Sequence, residues 1–196
     1  MDPDSLPTVL LASASPRRLD LLRQIGIEPV VEPADVDESL DGTLDVAAAV
    51  AGLAATKALA VAQRHRGESV LVLGADTLVV VDGEALGKPV DEADARAMLG
   101  RLSGREHQVM TGVAIIDAAS GNDVGGVAVT TVRFRGLTPA EIAAYVATGE
   151  PLDKAGAYGI QGGAAAFVES LDGDRSNVVG LPLPLVQRLL AKVHPQ

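Results

Sequence analysis

Apolar and polar positions divide the chain into short segments of two kinds. Thr8 to Ala12 is an apolar run of strand length, and Ser15-Pro16 after it has the chemistry of a helix start. Ser15 is placed to cap a free backbone N–H, and Pro16 suits the first helical position, where no N–H is needed. The helix then runs on Leu19, Leu22 and Ile25, with Leu21 alongside, and Gly26 ends it. Glu28 to Val31 predicts a second strand, followed by the acidic loop Glu32-Pro33-Ala34-Asp35-Val36-Asp37-Glu38. Thr43 or Asp45 caps a long Ala-rich helix that reaches about His65, with Lys57 near its middle.

Further on, Val70 to Leu73 predicts a buried strand, Gly74-Ala75-Asp76-Thr77 a break, and Leu78 to Val81 a β-rich run. Asp82-Gly83 is a two-residue hairpin signal with Glu84 to Leu86 returning, and Gly87-Lys88-Pro89 leaves it as a turn. Asp91 caps a helix to about Leu102. His107 to Asp117 and Val124 to Arg135 alternate as long paired strands, joined by the turn-rich segment from Ala119 to Gly126. Thr138-Pro139-Ala140-Glu141 is a capping box whose helix ends at Gly149. Asp153 to Gly163 predicts a Gly-rich loop, Ala164 to Glu169 a strand, and Pro182 to Val193 the last helix. Early alternation of strands and helices, with antiparallel pairs in the middle, predicts an α/β fold on a mixed sheet, with no repeat or flexible linker.

Composition narrows the function. The 196 residues suffice for one large domain or two small lobes, and a core of Val, Leu, Ile and Ala must do without Trp. A net charge of −10 argues against stable nucleic-acid binding, and the scarcity of aromatics against a stacking platform for single strands. The absence of cysteine excludes disulfides and thiolate zinc sites. Met1 to Pro7 lacks the basic and apolar blocks of a signal peptide, and no uninterrupted apolar run approaches the roughly 20 residues that span a membrane. The expectation is a soluble, cytoplasmic protein without membrane attachment.

Against that acidic background, Arg17 and Arg18 occupy the first turn of a helix, where the macrodipole disfavours cations. An anion on the helix N-terminus reverses the sign, because backbone N–H groups and guanidinium forks then point at it together. Two solvated arginines accepting a small penalty are the plainer alternative. Asp76 follows an apolar stretch at what the pattern reads as a strand's carboxyl end, where open α/β sheets place ligands. It is there to hold a divalent metal, to act as a base on water, or to close a turn on its own backbone. Asp35, Asp37 and Glu38 are placed either to share a hard cation with it or to be solvated.

Lys57 reads as a snorkelling lysine at the edge of an apolar face, and Lys154 as a surface cation. Lys88, in a rigid Gly-Lys-Pro turn, can aim a point charge at phosphate or simply face solvent. Thr77 can bond a substrate or merely begin a strand. Gln161 offers a donor and an acceptor together in a glycine-flanked loop, which suits the edge of a nucleobase. His65, His107 and His194 show no metal spacing and read as structural or solvated.

In order along the chain, Ser13-Ala14-Ser15-Pro16-Arg17-Arg18, Val36-Asp37-Glu38, Lys57-Ala58, Gly74-Ala75-Asp76-Thr77, Leu86-Gly87-Lys88-Pro89, Thr111-Gly112-Val113, Asp153-Lys154-Ala155-Gly156-Ala157-Tyr158-Gly159-Ile160-Gln161-Gly162 and Ser176-Asn177-Val178-Val179-Gly180-Leu181-Pro182 resemble the Maf family. These are septum-formation-type nucleoside triphosphate pyrophosphatases. The resemblance covers nearly the whole chain and implies one such domain over residues 1–196. It implies a twisted mixed central sheet with flanking helices and two lobes around a nucleotide-binding cleft, Mg²⁺ or Mn²⁺, and often a homodimer. The implied reaction is hydrolysis between the α and β phosphates to a nucleoside monophosphate and pyrophosphate.

Carried over by position, Ser13, Arg17 and Arg18 hold the phosphates, joined by Lys57 and Lys88. Glu38 and Asp76 hold metal, and Asp76 is the base for the attacking water. Thr77, Gln161 and Arg17 set base choice. The Ala-Gly-Ala-Tyr-Gly-Ile-Gln-Gly block is similar to the branch that prefers dTTP and UTP, with a house-cleaning role on the nucleotide pool. Two alternatives stand beside it: a nucleotide-binding regulator of cell division with incidental hydrolysis, and the same chemistry on 7-methyl-GTP or a broad range of bases. The nearly pure Ala and Val of the helix before Lys57 departs from the larger residues often found there in the family.

Overall fold

The computed structural model describes residues 7–38 and 45–193, so Thr43 and His194 lie outside the described residues. Seven strands make one mixed sheet: β1 (Thr8–Leu11), β2 (Val30–Val31), β3 (Val70–Val81), β4 (Glu84–Leu86), β5 (Glu106–Asp117), β6 (Asp123–Phe134) and β7 (Val168–Asp172). Their order is β2-β1-β3-β5-β6-β7, with β4 paired to β3. β1 runs parallel to β2 and β3, while β3 pairs antiparallel with β4 and β6 with β7. Among the described residues, six α-helices accompany it: α1 (Pro16–Gln24), α2 (Val46–Ala62), α3 (Glu92–Leu102), α4 (Pro139–Val146), α5 (Arg175–Val179) and α6 (Leu183–Val193). The α/β class and mixed sheet expected from the sequence are both present.

The chain forms two compact units. Met1–Asp76, Thr111–Ala128 and Gly180–Gln196 make the first, and Thr77–Met110 with Val129–Val179 the second. Within the first unit, Leu10, Ala12, Ala54, Ala58, Val61, Val72, Ala114 and Ile116 share one core. Small residues dominate because α2 lies with its backbone almost on the sheet. A Cβ on Gly74 of β3 would stand 2.3 Å from the Ala54 carbonyl oxygen and 2.6 Å from the Ala58 nitrogen. A Cβ on Gly112 of β5 would stand 2.4 Å from the Val50 carbonyl oxygen, one helical turn earlier. Two glycines on the sheet and alanines on the helix together permit this approach. By length and composition alone, Val46–His65 is apolar enough to cross a membrane, which the sequence reading had not recognised. Its fully buried Val50, Ala54, Ala58 and Val61 give it the place of a core helix.

Turn and cap chemistry sets the second unit. Asp82 and Gly83 both adopt positive φ, 55° and 78°, and Val81 faces Glu84 across the hairpin. The Asp91 carboxylate accepts from the Asp94 amide at 2.8 Å, and Thr138 and Glu141 make the full capping box of α4. The core here is built on Val79, Leu99, Leu102, Phe134, Tyr145, Tyr158 and Phe167. A Cβ on Gly156 would meet the Val79 side chain at 2.8 Å, so only glycine lets this loop seat against β3.

Four sequence expectations change. No break separates residues 73 and 78, because β3 is continuous through Gly74-Ala75-Asp76-Thr77. Residues 163–167 form a 3₁₀ turn rather than the start of a strand, and β7 begins only at Val168. The strand expected from Glu28 is reduced to Val30–Val31. Ser15 occupies the N-cap of α1 but its side chain makes no capping bond; the Ser13 hydroxyl instead accepts from the Ser15 amide at 3.2 Å.

Candidate active site

Within the first unit, the close approach of α2 to β3 decides where its charged residues meet. Lys57 lies one turn after Ala54, and Asp76 lies two residues beyond Gly74 on the same side of β3. The contact that requires glycine at 74 therefore delivers an ammonium to a carboxylate. The Lys57 Nζ donates to Asp76 Oδ1 at 2.7 Å and stands 2.6 Å from Glu38 Oε1. Lys57 is 5% exposed and Asp76 8%, so this is a buried ion pair extended to a half-exposed carboxylate. The expected snorkelling lysine is thus corrected. Its position on the Val50, Ala54, Ala58, Val61 face was the signal that burial and a partner were required. Asp76 is likewise no turn residue at a strand end; it sits in mid-strand with its carboxylate engaged by a neighbouring element.

Helix α1 brings a second group of cations into the same unit. Arg17 and Arg18 occupy its first turn, as the sequence indicates, and the first turn holds no acidic residue. Arg18 Nε donates to the Gly180 carbonyl at 2.8 Å and Nη1 to the Ser13 hydroxyl at 3.0 Å. The guanidinium thereby ties the Ser13 loop to the segment leading into α6. Burial draws its pKa below the ordinary arginine value, opposed by the charge of Asp76, reinforced by Arg17, and opposed again by Glu38. Arg17, Arg18, Glu38 and Asp76 accordingly share one electrostatic neighbourhood, and Ser13 is buried at its edge.

The other sequence candidates belong to the second unit. Thr77 follows Asp76 directly, and strand alternation turns it to the opposite face of β3. Lys88 is exposed in its turn. That turn is fastened by a hydrogen bond from the Gly156 amide to the Gly87 carbonyl at 2.9 Å. Gln161 is exposed in the loop after the Ala155–Ala157 turn. Lys154 is not a surface cation: its ammonium folds back to the Glu150 carbonyl at 2.7 Å and to Asp153 at 2.6 Å. His107 is structural, buried against Phe134 and Tyr158, with Nε2 2.8 Å from the Tyr158 hydroxyl. His65 pairs with Glu32 and Glu68.

A family model described as Maf-like protein matches residues 8–193. The chain belongs to the Maf family. A relative from Moorella thermoacetica named dTTP/UTP pyrophosphatase is 55% identical over 93% of this chain and 93% of its own. Relatives with that same name from Symbiobacterium thermophilum and Gloeobacter violaceus are 53% and 50% identical, each over 94% of this chain and over 93% and 95% of their own. Among solved structures, a nucleoside-triphosphatase (dITP/XTP pyrophosphatase) from Mycobacterium abscessus is a partial likeness. It is 18% identical, with a TM-score of 0.41 over 65% of this chain and 72% of that one.

For a Maf-family chain, the donor set around Lys57 bears on the metal question. Among the described residues no group of three or more His, Cys, Asp and Glu converges as a cation site. What converges is the carboxylate pair Glu38 and Asp76, already gathered around one positive charge, the Lys57 ammonium. Two hard oxygen donors, with phosphate oxygens and water making up the rest of the shell, are a set that Mg²⁺ commonly takes. The residues present therefore fit a divalent cation that completes its shell from the substrate. Sequence reasoning had no reason to single out Gly74 as the residue that sets this geometry, nor Tyr145 and Glu150, which hold the Gln161 loop from outside it.

Proposed function

We propose that this chain hydrolyses dTTP and UTP to the nucleoside monophosphate and pyrophosphate, clearing such nucleotides, modified pyrimidines included, from the pool. Two lines support the reading. Relatives at 50% to 55% identity carry the name dTTP/UTP pyrophosphatase, and the Glu38–Lys57–Asp76 bridge, in which Lys57 and Asp76 are buried, sets a fixed carboxylate beside paired arginines. The bridge is the observation that carries the mechanism.

Asp76 is the base, taking a proton from the water that attacks the α-phosphorus. Lys57 holds the Asp76 and Glu38 carboxylates in place and offsets their mutual repulsion, so neither must reorganise during the reaction. Arg17 and Arg18, at the positive end of α1, bind the phosphates with Ser13. Lys88 sits on the departing pyrophosphate and offsets the charge that develops there. A divalent cation, Mg²⁺ or Mn²⁺, would be held by Glu38 and Asp76 and would supply Lewis-acid charge at the phosphate oxygens. Gln161, with Thr77 and Arg17, selects the base.

Steady-state turnover of a nucleotide panel with product identification tests the reading. Equimolar monophosphate and pyrophosphate from dTTP and UTP support it; orthophosphate release, or equal rates on every base, count against it.

A further inference from the structure

The loop that carries Gln161 is wrapped around one carboxylate outside the phosphate-binding groups. Tyr145, buried near the end of α4, donates its hydroxyl proton to Glu150 Oε1 at 2.9 Å and accepts from the Gly159 amide at 3.1 Å. The second Glu150 oxygen accepts from the Gly163 amide at 3.0 Å. Between those anchors, the Gly162 amide closes onto the Gly159 carbonyl at 3.1 Å. Lys154 donates to the Glu150 main-chain carbonyl at 2.7 Å, which fixes the backbone from which the carboxylate reaches out. Burial raises the Tyr145 pKa above the usual phenol value, which keeps the donated proton on the ring oxygen.

The glycines of this loop follow from that wrapping. A Cβ on Gly162 would lie 2.0 Å from Glu150 Oε1, and one on Gly159 would lie 2.7 Å from Lys154 Cε. Ile160 turns inward into the core and Gln161 outward to solvent. A glycine-rich loop loses much entropy on ordering, and here the Tyr145–Glu150 pair supplies the bonds that offset the loss. Order matters for the chemistry at Gln161. A primary amide distinguishes one base edge from another only while its donor and acceptor are held in a fixed order; a mobile amide presents both.

We propose that Tyr145 and Glu150 are positioning residues for base choice, holding residues 159–163 so that Gln161 presents one orientation of its amide to the nucleobase. The inference rests on the reading of Gln161 as a base reader. The test compares Tyr145→Phe, Glu150→Gln, Gln161→Ala and Tyr145→Phe/Gln161→Ala in the full chain. Each is assayed for kcat and KM on dTTP, UTP, CTP and GTP with Mg²⁺, and for amide hydrogen exchange at Gly159 and Gly163. Tyr145→Phe removes both hydroxyl bonds, the one to Glu150 and the one from Gly159, and raises KM for dTTP and UTP by about tenfold while kcat stays within about twofold, narrowing the preference over CTP and GTP. Exchange at both glycines accelerates. The double variant discriminates no worse than Gln161→Ala, because both changes act through one side chain.

Glu150→Gln keeps an acceptor for Gly163 and shifts the same quantities less; it decides the matter if Tyr145→Phe does not fold. An equal fall in kcat on all four nucleotides with unchanged ranking, or unchanged exchange at Gly159 and Gly163, overturns the proposal. If Gln161→Ala changes the ranking and the folded Tyr145→Phe or Glu150→Gln does not, the positioning role alone falls. If Gln161→Ala leaves the ranking intact, the base-reading role falls and takes the proposal with it.

Discussion

Lys57 carries a buried positive charge that, among the described residues, Glu38 and Asp76 offset, so each of these residues has a distinct signature when changed. Asp76→Asn leaves the ammonium one full carboxylate and nearly the same volume, so the protein folds. Loss of a positioned base lowers kcat by about 10²- to 10⁴-fold, read in pyrophosphate release with circular dichroism as the folding control. Lys57→Met removes the cation and leaves Asp76 buried beside Glu38 with nothing between them. Breaking a buried pair in this way costs about 3 kcal/mol, read as a lower denaturant midpoint at unchanged slope. A variant as stable as the native chain would mean that Asp76 is solvated in solution.

His107 gives a pH signature of its own. Burial lowers its pKa from 6.5 to about 4, so the folded ring stays neutral where an unfolded one takes a proton. This contribution to stability is whole above pH 6.5 and is lost as pH falls toward about 4, a decline on the order of 3 kcal/mol. Denaturant titrations at stepped pH should show that slope, and His107→Gln should flatten it.

Element boundaries were legible wherever local chemistry decides them, and hidden wherever a distant element does. The Asp82-Gly83 turn, the Asp91 cap and the Thr138–Glu141 capping box all act within four residues, and all stand as the sequence indicates. Gly74 misled because glycine in a strand pattern reads as a break, whereas here it admits the backbone of α2 from elsewhere in the chain. The same non-local contact turned Lys57 from an edge residue into a buried partner of Asp76. Arg17 and Arg18 were visible because their conflict with the helix dipole is local. The ties of Arg18 to Ser13 and Gly180 were only half visible, since Gly180 is 162 positions away.

This makes Gly74→Ala the sharpest substitution at this scale. Its Cβ has backbone on two sides, so relief requires α2 to move away from β3 and Lys57 with it. Overpacking of this kind costs about 1–3 kcal/mol, and activity should fall further than stability alone accounts for. Retained activity in a folded Gly74→Ala protein would separate the Lys57–Asp76 contact from catalysis. Ala58→Gly, on the helix side of the same contact, opens space instead and serves as the control.

At the scale of the whole molecule, an acidic chain gathers Arg17, Arg18 and Lys57 into one compact unit, and the second unit holds Lys88 and a glycine-rich loop aimed by Tyr145 and Glu150. Net repulsion of phosphates by a chain of charge −10 makes such local concentration of cations a condition for binding a triphosphate. In the proposed reaction Asp76, fixed by Lys57, activates water for cleavage between the α and β phosphates of a pyrimidine nucleotide. The most direct measurement is the hydrolysis of dTTP in ¹⁸O-labelled water with Mg²⁺ or Mn²⁺, native chain beside Asp76→Asn, with the products analysed by mass. Label is expected in the thymidine monophosphate and none in the pyrophosphate, with turnover lost in the variant. Label in the pyrophosphate would move the attack off the α-phosphorus, and undiminished turnover by folded Asp76→Asn would remove Asp76 as the base.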